Sequence, residues 1–337
     1  MIPYARGVLH PELYHGRGKE APYFEGWYFK LVDRPETRRY AFIPGIFKHQ
    51  DPGKSHCFVQ VLDGNAGRSW YHRYPASEFW AAEDALDVRI GDNRFTRDRI
   101  WLDIHRPEQQ VSGELAFGQV THWQGSPLSP GAMGWFGWLP IMECYHGVVS
   151  LDHAIEGQLT VDGHAIDLTG GRGYMEKDWG RSFPAGWVWL QTNHLDAPGA
   201  SLLATVAVVP WRRHYFPGAI AALWYGGKLH RLATYTGARV RELVISTREV
   251  QLVIEGRRDR LEIVATRSQG GILHGPSLTE MSPRVAESLT GEIKLRYLAG
   301  RGQRKALVFE GAGRNAGVEV NGDLRKLLGP LHGVLKD

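Results

Sequence analysis

The sequence predicts an all-β protein built from two antiparallel β-barrel or sandwich domains with few short helices, and three observations carry that expectation. Strand-like runs recur roughly every 8–15 residues with turn dipeptides between them. The composition pairs 12 Trp, 13 Tyr and 12 Phe with 41 Gly; aromatic side chains suit a pleated surface and glycines suit tight turns. The length of 337 residues exceeds one ordinary domain and fits two of about 150 residues.

The runs follow in order along the chain. Residues 57–62 read CFVQVL before a turn at Asp63-Gly64-Asn65. RIWLDI at 99–104 follows a turn at Gly91-Asp92-Asn93, and QLTV at 158–161 precedes Asp162-Gly163. LLATVAVV occupies 202–209, and IAALWY at 220–225 runs into Gly226-Gly227. EVQLVI, RLEIVAT, EIKLRYL, KALVF and GVEV complete the series at 249–254, 260–266, 292–298, 305–309 and 317–320. Leu261, Ile263 and Ala265 alternate onto one face, as do Ile293, Leu295 and Tyr297, so each run has a dry side and a wet side. Two helical patterns stand out: 77–87 with Ser77 as N-cap, and a turn or two after Pro283 within 278–289. The spacing places a domain boundary near residue 155, with a second domain over 156–325 and a tail over 326–337. Residues 125–134, GSPLSPGAMG, read as a long loop inside the first domain.

Charge and motifs exclude several functions. The formal net charge is +4, and the basic pairs Arg38-Arg39, Arg212-Arg213 and Arg257-Arg258 read as solvated surface. No basic stripe or nucleic-acid module is present. Cys57 and Cys144 lie outside any C-x-x-C pair, so neither a disulfide framework nor a thiolate zinc cage is expected, and a reducing cytoplasm is the default. The opening MIPYARGVLHPELYHG lacks the apolar core of a leader peptide. No apolar run reaches the ~18 residues of a membrane-spanning helix. Dinucleotide, P-loop, zincin and nucleophile-elbow signatures are all missing, and no cofactor is expected. His49, His56, His146 and His153 flank loops or strands without a helical i,i+4 spacing beside an acid, so no metal site is expected.

Two segments concentrate aromatic and acidic side chains. In YFEGWYFK (23–30), Glu25, Trp27 and Phe29 share one strand face, and Phe24, Gly26 and Tyr28 the other. In YMEKDWGRSFPAGWVWLQTN (174–193), Glu176 and Asp178 share a face opposite Lys177. After Pro184, the residues Trp187, Trp189, Gln191 and Asn193 alternate onto one face, two indoles followed by two amides. Such a face suits a cavity that is apolar at one end and hydrogen-bonding at the other; aromatic strands also build ordinary cores.

FEGWYFK and EKDWGRSFPAGWVWLQTN carry a resemblance to the tocopherol cyclase family. AALWYGGKLHRL (221–232), GPSLTEMSPRVAESLTGEIKLRYL (275–298) and GVEVNGD (317–323) extend it over nearly the whole chain in the same order. The family is similar to two-domain lipocalin-like proteins, which include hydroxyneurosporene-synthase-like and pericyclic-reaction enzymes. The resemblance implies two lipocalin-like barrels, a hydrophobic ligand, and closure of a chromanol-type ring on a prenylated hydroquinone. One departure is Asp178, where the plant motif has Asn.

Such a cyclisation is redox-neutral. A proton goes to a trisubstituted alkene, and the neighbouring phenol oxygen traps the tertiary cation. An alkene is a poor base, so the donor must be a well-placed acid in a dry site. Burial keeps a carboxyl protonated, and aromatic faces stabilise the cation. Glu176 is the first candidate for the acid and Glu25 the second, whose other role would be a buried partner of an arginine or of backbone N–H groups. Lys177 would pair with a carboxylate or steady a phenolate. Tyr174, Gln191 and Asn193 would hold the headgroup, with Trp27, Tyr28, Asp178, Trp179, Trp187, Trp189 and Glu280 completing the substrate-binding set. The alternatives are an acid-catalysed polyene hydratase, in which water is the trap, and a lipocalin-like carrier without chemistry. Trp135, Phe136 and Trp138 in GAMGWFGWLPIM (131–142) offer a peripheral membrane contact or a buried loop over a barrel mouth.

Overall fold

The computed structural model describes residues 4–301 and 304–336. The chain forms two units, one of residues 1–183 and 271–284 and the other of residues 184–270 and 285–337. The expected boundary near 155 falls inside the strand Cys144–Val161. The chain changes unit at Phe183–Pro184 instead, and the excursion over 271–284 returns to the first unit. The tail expected from residue 326 begins inside the helix Leu324–Leu328, which buries Leu327 and Leu328 in the second core.

The first unit is built on one antiparallel sheet. From one edge its strands run Arg68–Pro75, His56–Asp63, Arg39–Lys48, Tyr23–Val32, Arg172–Gly180 and Cys144–Val161. They continue through Gln109–Thr121, Arg99–Arg106, Asn93–Thr96, Asp87–Ile90 and Phe79–Ala81. The sheet curls on itself: Tyr74 from one edge and Ala81, Val88 and Phe95 from the other join Trp27, Phe29 and Val59 in one apolar cluster. Asn93 also donates to the Tyr74 hydroxyl at 3.3 Å. Alternation places Trp27, Phe29 and Leu31 inside this curl and sends Phe24, Tyr28 and Lys30 to the outer face.

The second unit repeats the device. Its path is Lys228–Ala233, His214–Tyr225, Ser201–Trp211, Gly186–Thr192, Arg304–Gly322, Met281–Arg301, Asp259–Thr266, Glu249–Glu255, Arg239–Ile245 and Val334–Leu335. Val188, Leu190, Leu223, Leu252 and Leu261 fill one core. His230 on the first of these strands meets the Tyr297 hydroxyl on the sixth at 2.9 Å.

Both helical expectations fail. Residues 76–78 form a single 3₁₀ turn followed by the strand Phe79–Ala81. Residues 281–301 are one long strand, because sheet pairing overrides weak local propensity. Likewise 305–309 and 317–320 belong to a single strand, Arg304–Gly322. Cys57 and Cys144 are free thiols. Among the described residues, no helix is long and apolar enough to cross a membrane.

Candidate active site

The centre of the first sheet pairs Tyr23–Val32 with Arg172–Gly180 in a register that sets Glu25 opposite Trp179, Trp27 opposite Lys177 and Tyr28 opposite Glu176. Cys144–Val161 lies on the other side of Arg172–Gly180, with His146 opposite Asp178. Directly opposed residues share a face. The register therefore separates two polar clusters on opposite sides of one sheet.

On the inner side, Glu25 and Lys177 are fully buried and form an ion pair. The Glu25 carboxylate accepts the Tyr23 hydroxyl and the His15 backbone N–H at 2.9 and 3.0 Å. Lys177 donates to Glu25 and to the Leu13 carbonyl, and its third N–H reaches His15 Nδ1 at 2.8 Å. All three ammonium donors are used. His15 Nε2–H then donates to the Gly7 carbonyl at 3.0 Å, which fixes the neutral tautomer. The ammonium also sits 4.7 Å from the Trp27 ring and 4.9 Å from the Trp179 ring, and His15 stacks on Trp179 at 4.3 Å.

Burial raises the pKa of Glu25, but Lys177 and His15 outweigh it and hold the carboxyl well below its ordinary value. Burial pulls Lys177 down to about 8 against the attraction of Glu25. It pulls His15 down too, helped by the Lys177 charge. Glu25 is thus an ionised acceptor with its lone pairs engaged. It does not fit the expected role of an alkene-protonating acid, and its place is the buried-partner role. Lys177 has the carboxylate partner expected of it.

The outer side carries the second cluster. Tyr174 donates to Glu176 Oε2 at 2.5 Å. His146 Nδ1 lies 3.0 Å from Asp178 Oδ1, and its Nε2 lies 3.6 Å from Glu176 Oε2. Tyr174 and Glu176 are buried, and Tyr28 shares their face. Burial disfavours the charged His146 ring, but Glu176 and Asp178 outweigh it and lift the pKa to about 9. At neutral pH His146 is an imidazolium hydrogen-bonded to Asp178, with its Nε2 facing Glu176 at 3.6 Å.

These three side chains offer ligand atoms within 4.8 Å of one another and so could hold a divalent ion. However, the ring faces the two carboxylates through different nitrogens, an arrangement that would have to turn to share one ion. The raised pKa has a stability consequence. A group whose folded pKa lies above its unfolded value stabilises the fold fully below the unfolded value and loses that contribution as pH rises through the folded one. His146 should therefore contribute roughly 3 kcal/mol below pH 6.5, lost by about pH 9. Urea midpoints should fall across that interval, and His146→Gln should flatten the fall; an unchanged slope would remove the charged ring from the picture.

A cavity of about 610 Å³ opens in this unit, a volume ordinary for a small-molecule site. Tyr4, Val8, Tyr14, Met133, Tyr145 and Trp179 give it an apolar wall, and His15 and His146 also line it. The cavity thus meets one histidine from each polar cluster. The turn Gly134–Trp138 stands at its rim. Trp138 is held there by Tyr4, whose hydroxyl donates to the Trp138 carbonyl at 2.8 Å, and by its own indole N–H on the Pro127 carbonyl at 3.1 Å.

In the second unit, Trp187, Trp189 and Gln191 share the face opposite Val188 and Leu190, and they stand outside the apolar cluster those residues join. All three are buried, as is Asn193. Trp187 donates to Glu319 Oε2 at 2.5 Å, and Asn193 Oδ1 lies 3.0 Å from His194 Nδ1. Gly317 leaves room for the Trp189 ring, since a Cβ there would meet it at 2.4 Å. The aromatic-amide face exists as the alternation indicates. Glu280 does not join a site: it is exposed, in the turn before Met281–Arg301. His15, Tyr23 and His146 escaped the reading of sequence. Only strand register reveals His146 beside two carboxylates, and His15 reaches Lys177 across 162 positions of chain.

Two curled sheets, one carrying buried ionisable side chains beside an apolar cavity, define a lipocalin-like two-domain protein. The family model described as tocopherol cyclase-like matches residues 105–322, and the chain belongs to that family. It is 21% identical to the probable tocopherol cyclase, chloroplastic, of Oryza sativa subsp. japonica over 92% of this chain and 77% of the relative. Identity is again 21% to the tocopherol cyclase, chloroplastic, of Zea mays, over 95% and 79%. Among solved structures, one from Nitrosomonas europaea has a TM-score of 0.57 at 17% identity, covering 93% of this chain and 95% of that one. CghA with Sch210972 gives 0.53 at 12%, covering 89% of each chain. Kievitone hydratase from Nectria haematococca gives 0.50 at 13%, also covering 89% of each. At these identities the structural likenesses show the shared fold.

Proposed function

We propose that this chain is a cyclase- or hydratase-type enzyme that adds an O–H group across a carbon–carbon double bond of a hydrophobic substrate. The observation that carries the reading is the protonated His146, held between Asp178 and Glu176 and lining an apolar cavity. The names of a tocopherol cyclase relative and of a kievitone hydratase neighbour support it.

The chemistry balances within the cluster. His146 gives a proton to the alkene and a carbocation forms. The substrate's phenol oxygen, or water, captures the cation and releases a proton to the Glu176 carboxylate. A small side-chain rotation that closes the 3.6 Å gap between Glu176 and His146 returns that proton to the ring. The raised pKa keeps the ring charged at neutral pH but makes it a weak acid. The site therefore suits an alkene whose cation is already stabilised, such as the tertiary cation of a prenyl tail. Tyr145, which lines the cavity, offers a π face worth ~1–2 kcal/mol to that cation when desolvated. A prenylated hydroquinone fits these demands and is the proposed substrate class. The Trp135–Trp138 turn is proposed as the rim past which it enters.

The test is turnover of a prenylated hydroquinone in deuterated water enriched in ¹⁸O. A cyclase product keeps the mass of its substrate apart from one carbon-bound deuterium. A hydratase product also gains one labelled oxygen. A product changed by two hydrogens, or tight ligand binding without any product, would overturn the reading.

A further inference from the structure

The hairpin joining Ser201–Trp211 to His214–Tyr225 presents a chemistry that the acid–base site does not use. Its closing pair is Trp211 and His214, and its two-residue loop is Arg212-Arg213. Trp211, Arg212, Arg213, His214 and Tyr215 are consecutive exposed residues, with Trp211 37% and Tyr215 42% exposed. Arg212 holds φ at +55°, a conformation for which two-residue hairpin loops ordinarily recruit Asn or Gly. Strand pairing alone gives no reason for two arginines there.

The stretch of chain that carries the hairpin is free of acids: residues 197–241 contain no Asp or Glu, and of their basic residues Arg212 and Arg213 stand at the tip while Lys228 and Arg231 lie toward the other end of the strand pair. The helix Leu324–Leu328 packs nearby and adds Lys326, whose ammonium lies 4.7 Å from the Tyr215 ring. The nearest acid in that helix's sequence is its N-cap, Asp323, whose carboxylate is engaged by the Lys326 backbone N–H at 2.9 Å. Exposed Trp and Tyr beside arginines match the boundary of a bilayer, where amphipathic rings settle at headgroup depth and cations meet lipid phosphates. The Trp135–Trp138 turn differs, because Tyr4 and Pro127 already hold Trp138.

We infer that the Trp211–Tyr215 hairpin docks this protein on an anionic lipid surface. The inference is independent of the reaction catalysed.

Sedimentation of the full chain with vesicles of phosphatidylcholine, with and without phosphatidylglycerol, tests it. Arg212→Gly with Arg213→Asn removes the charge while placing glycine at the left-handed first loop position, so the variant should fold at least as well. Affinity for the anionic vesicles should fall on the order of tenfold in that variant, given the attraction each arginine contributes near a charged surface. Wild-type binding should weaken with salt. Trp211→Ser with Tyr215→Ser should lose affinity as well, whereas Trp135→Ser with Trp138→Ser should keep the anionic preference. Equal wild-type binding to neutral and anionic vesicles, an unaffected arginine variant, or a preference for nucleic acid over vesicles would overturn the inference.

Discussion

Replacing Lys177 with Met should cost about 3–5 kcal/mol of stability, the range found when one member of a buried ion pair is removed. The cause is the charge left behind. Glu25 is fully buried, and without the ammonium it is left with the Tyr23 hydroxyl, the His15 N–H and the His15 ring nitrogen at 3.4 Å, none of which carries a fixed positive charge. Two cation–π contacts vanish as well. Converting both partners, Lys177→Met with Glu25→Gln, should recover much of the loss, since replacing a whole buried pair is often close to neutral. Urea unfolding followed through the aromatic near-UV signal would read this cycle. Additive single losses, with no recovery in the double variant, would show that the two groups do not act as a pair. Glu25, with its depressed pKa, stabilises the fold above the ordinary carboxyl range and loses that contribution as pH falls through its folded value. Wild-type protein should therefore weaken in acid more steeply than the double variant.

Glu176→Gln should lower turnover by about 10²–10⁴-fold, the usual scale for a lost acid–base group, while ligand binding stays within a few-fold. The amide keeps the shape and the Tyr174 contact but neither accepts the released proton nor supports the His146 charge. Asp178→Asn should act more gently and show itself in the pH profile. Asp178 helps to raise the His146 pKa, so its loss moves the alkaline limb of the rate to lower pH. If Glu176→Gln retains full turnover, the outer cluster is structural and the proposed function fails with it. A profile for Asp178→Asn identical to wild type would separate the charge on His146 from the chemistry.

How far the sequence carried depends on the reach of each interaction. Two antiparallel β domains were legible because alternation and turn residues act over a few positions. The separation of Glu176 and Asp178 from Lys177, and of Glu25 with Trp27 from Tyr28, followed from a period of two. The Trp187–Trp189–Gln191 face was legible for the same reason. The pattern at 77–87 misled because it suits one turn of helix in isolation, whereas the chain there pairs Phe79–Ala81 with Asp87–Ile90. The boundary misled because Cys144–Val161 is longer than any periodic run within it.

The sequence by itself determined the fold class, the family and which acidic side chains share a face, since each of these is written in local spacing or in a long ordered motif. Only the tertiary structure decided which carboxylate is a filled ion-pair partner and which lies beside a protonated ring. Charge state inside a protein depends on burial and on neighbours brought in from distant strands. The spacing that put Glu25 and Glu176 on their strands said nothing of Lys177 and His15 closing around one, or of His146 meeting the other.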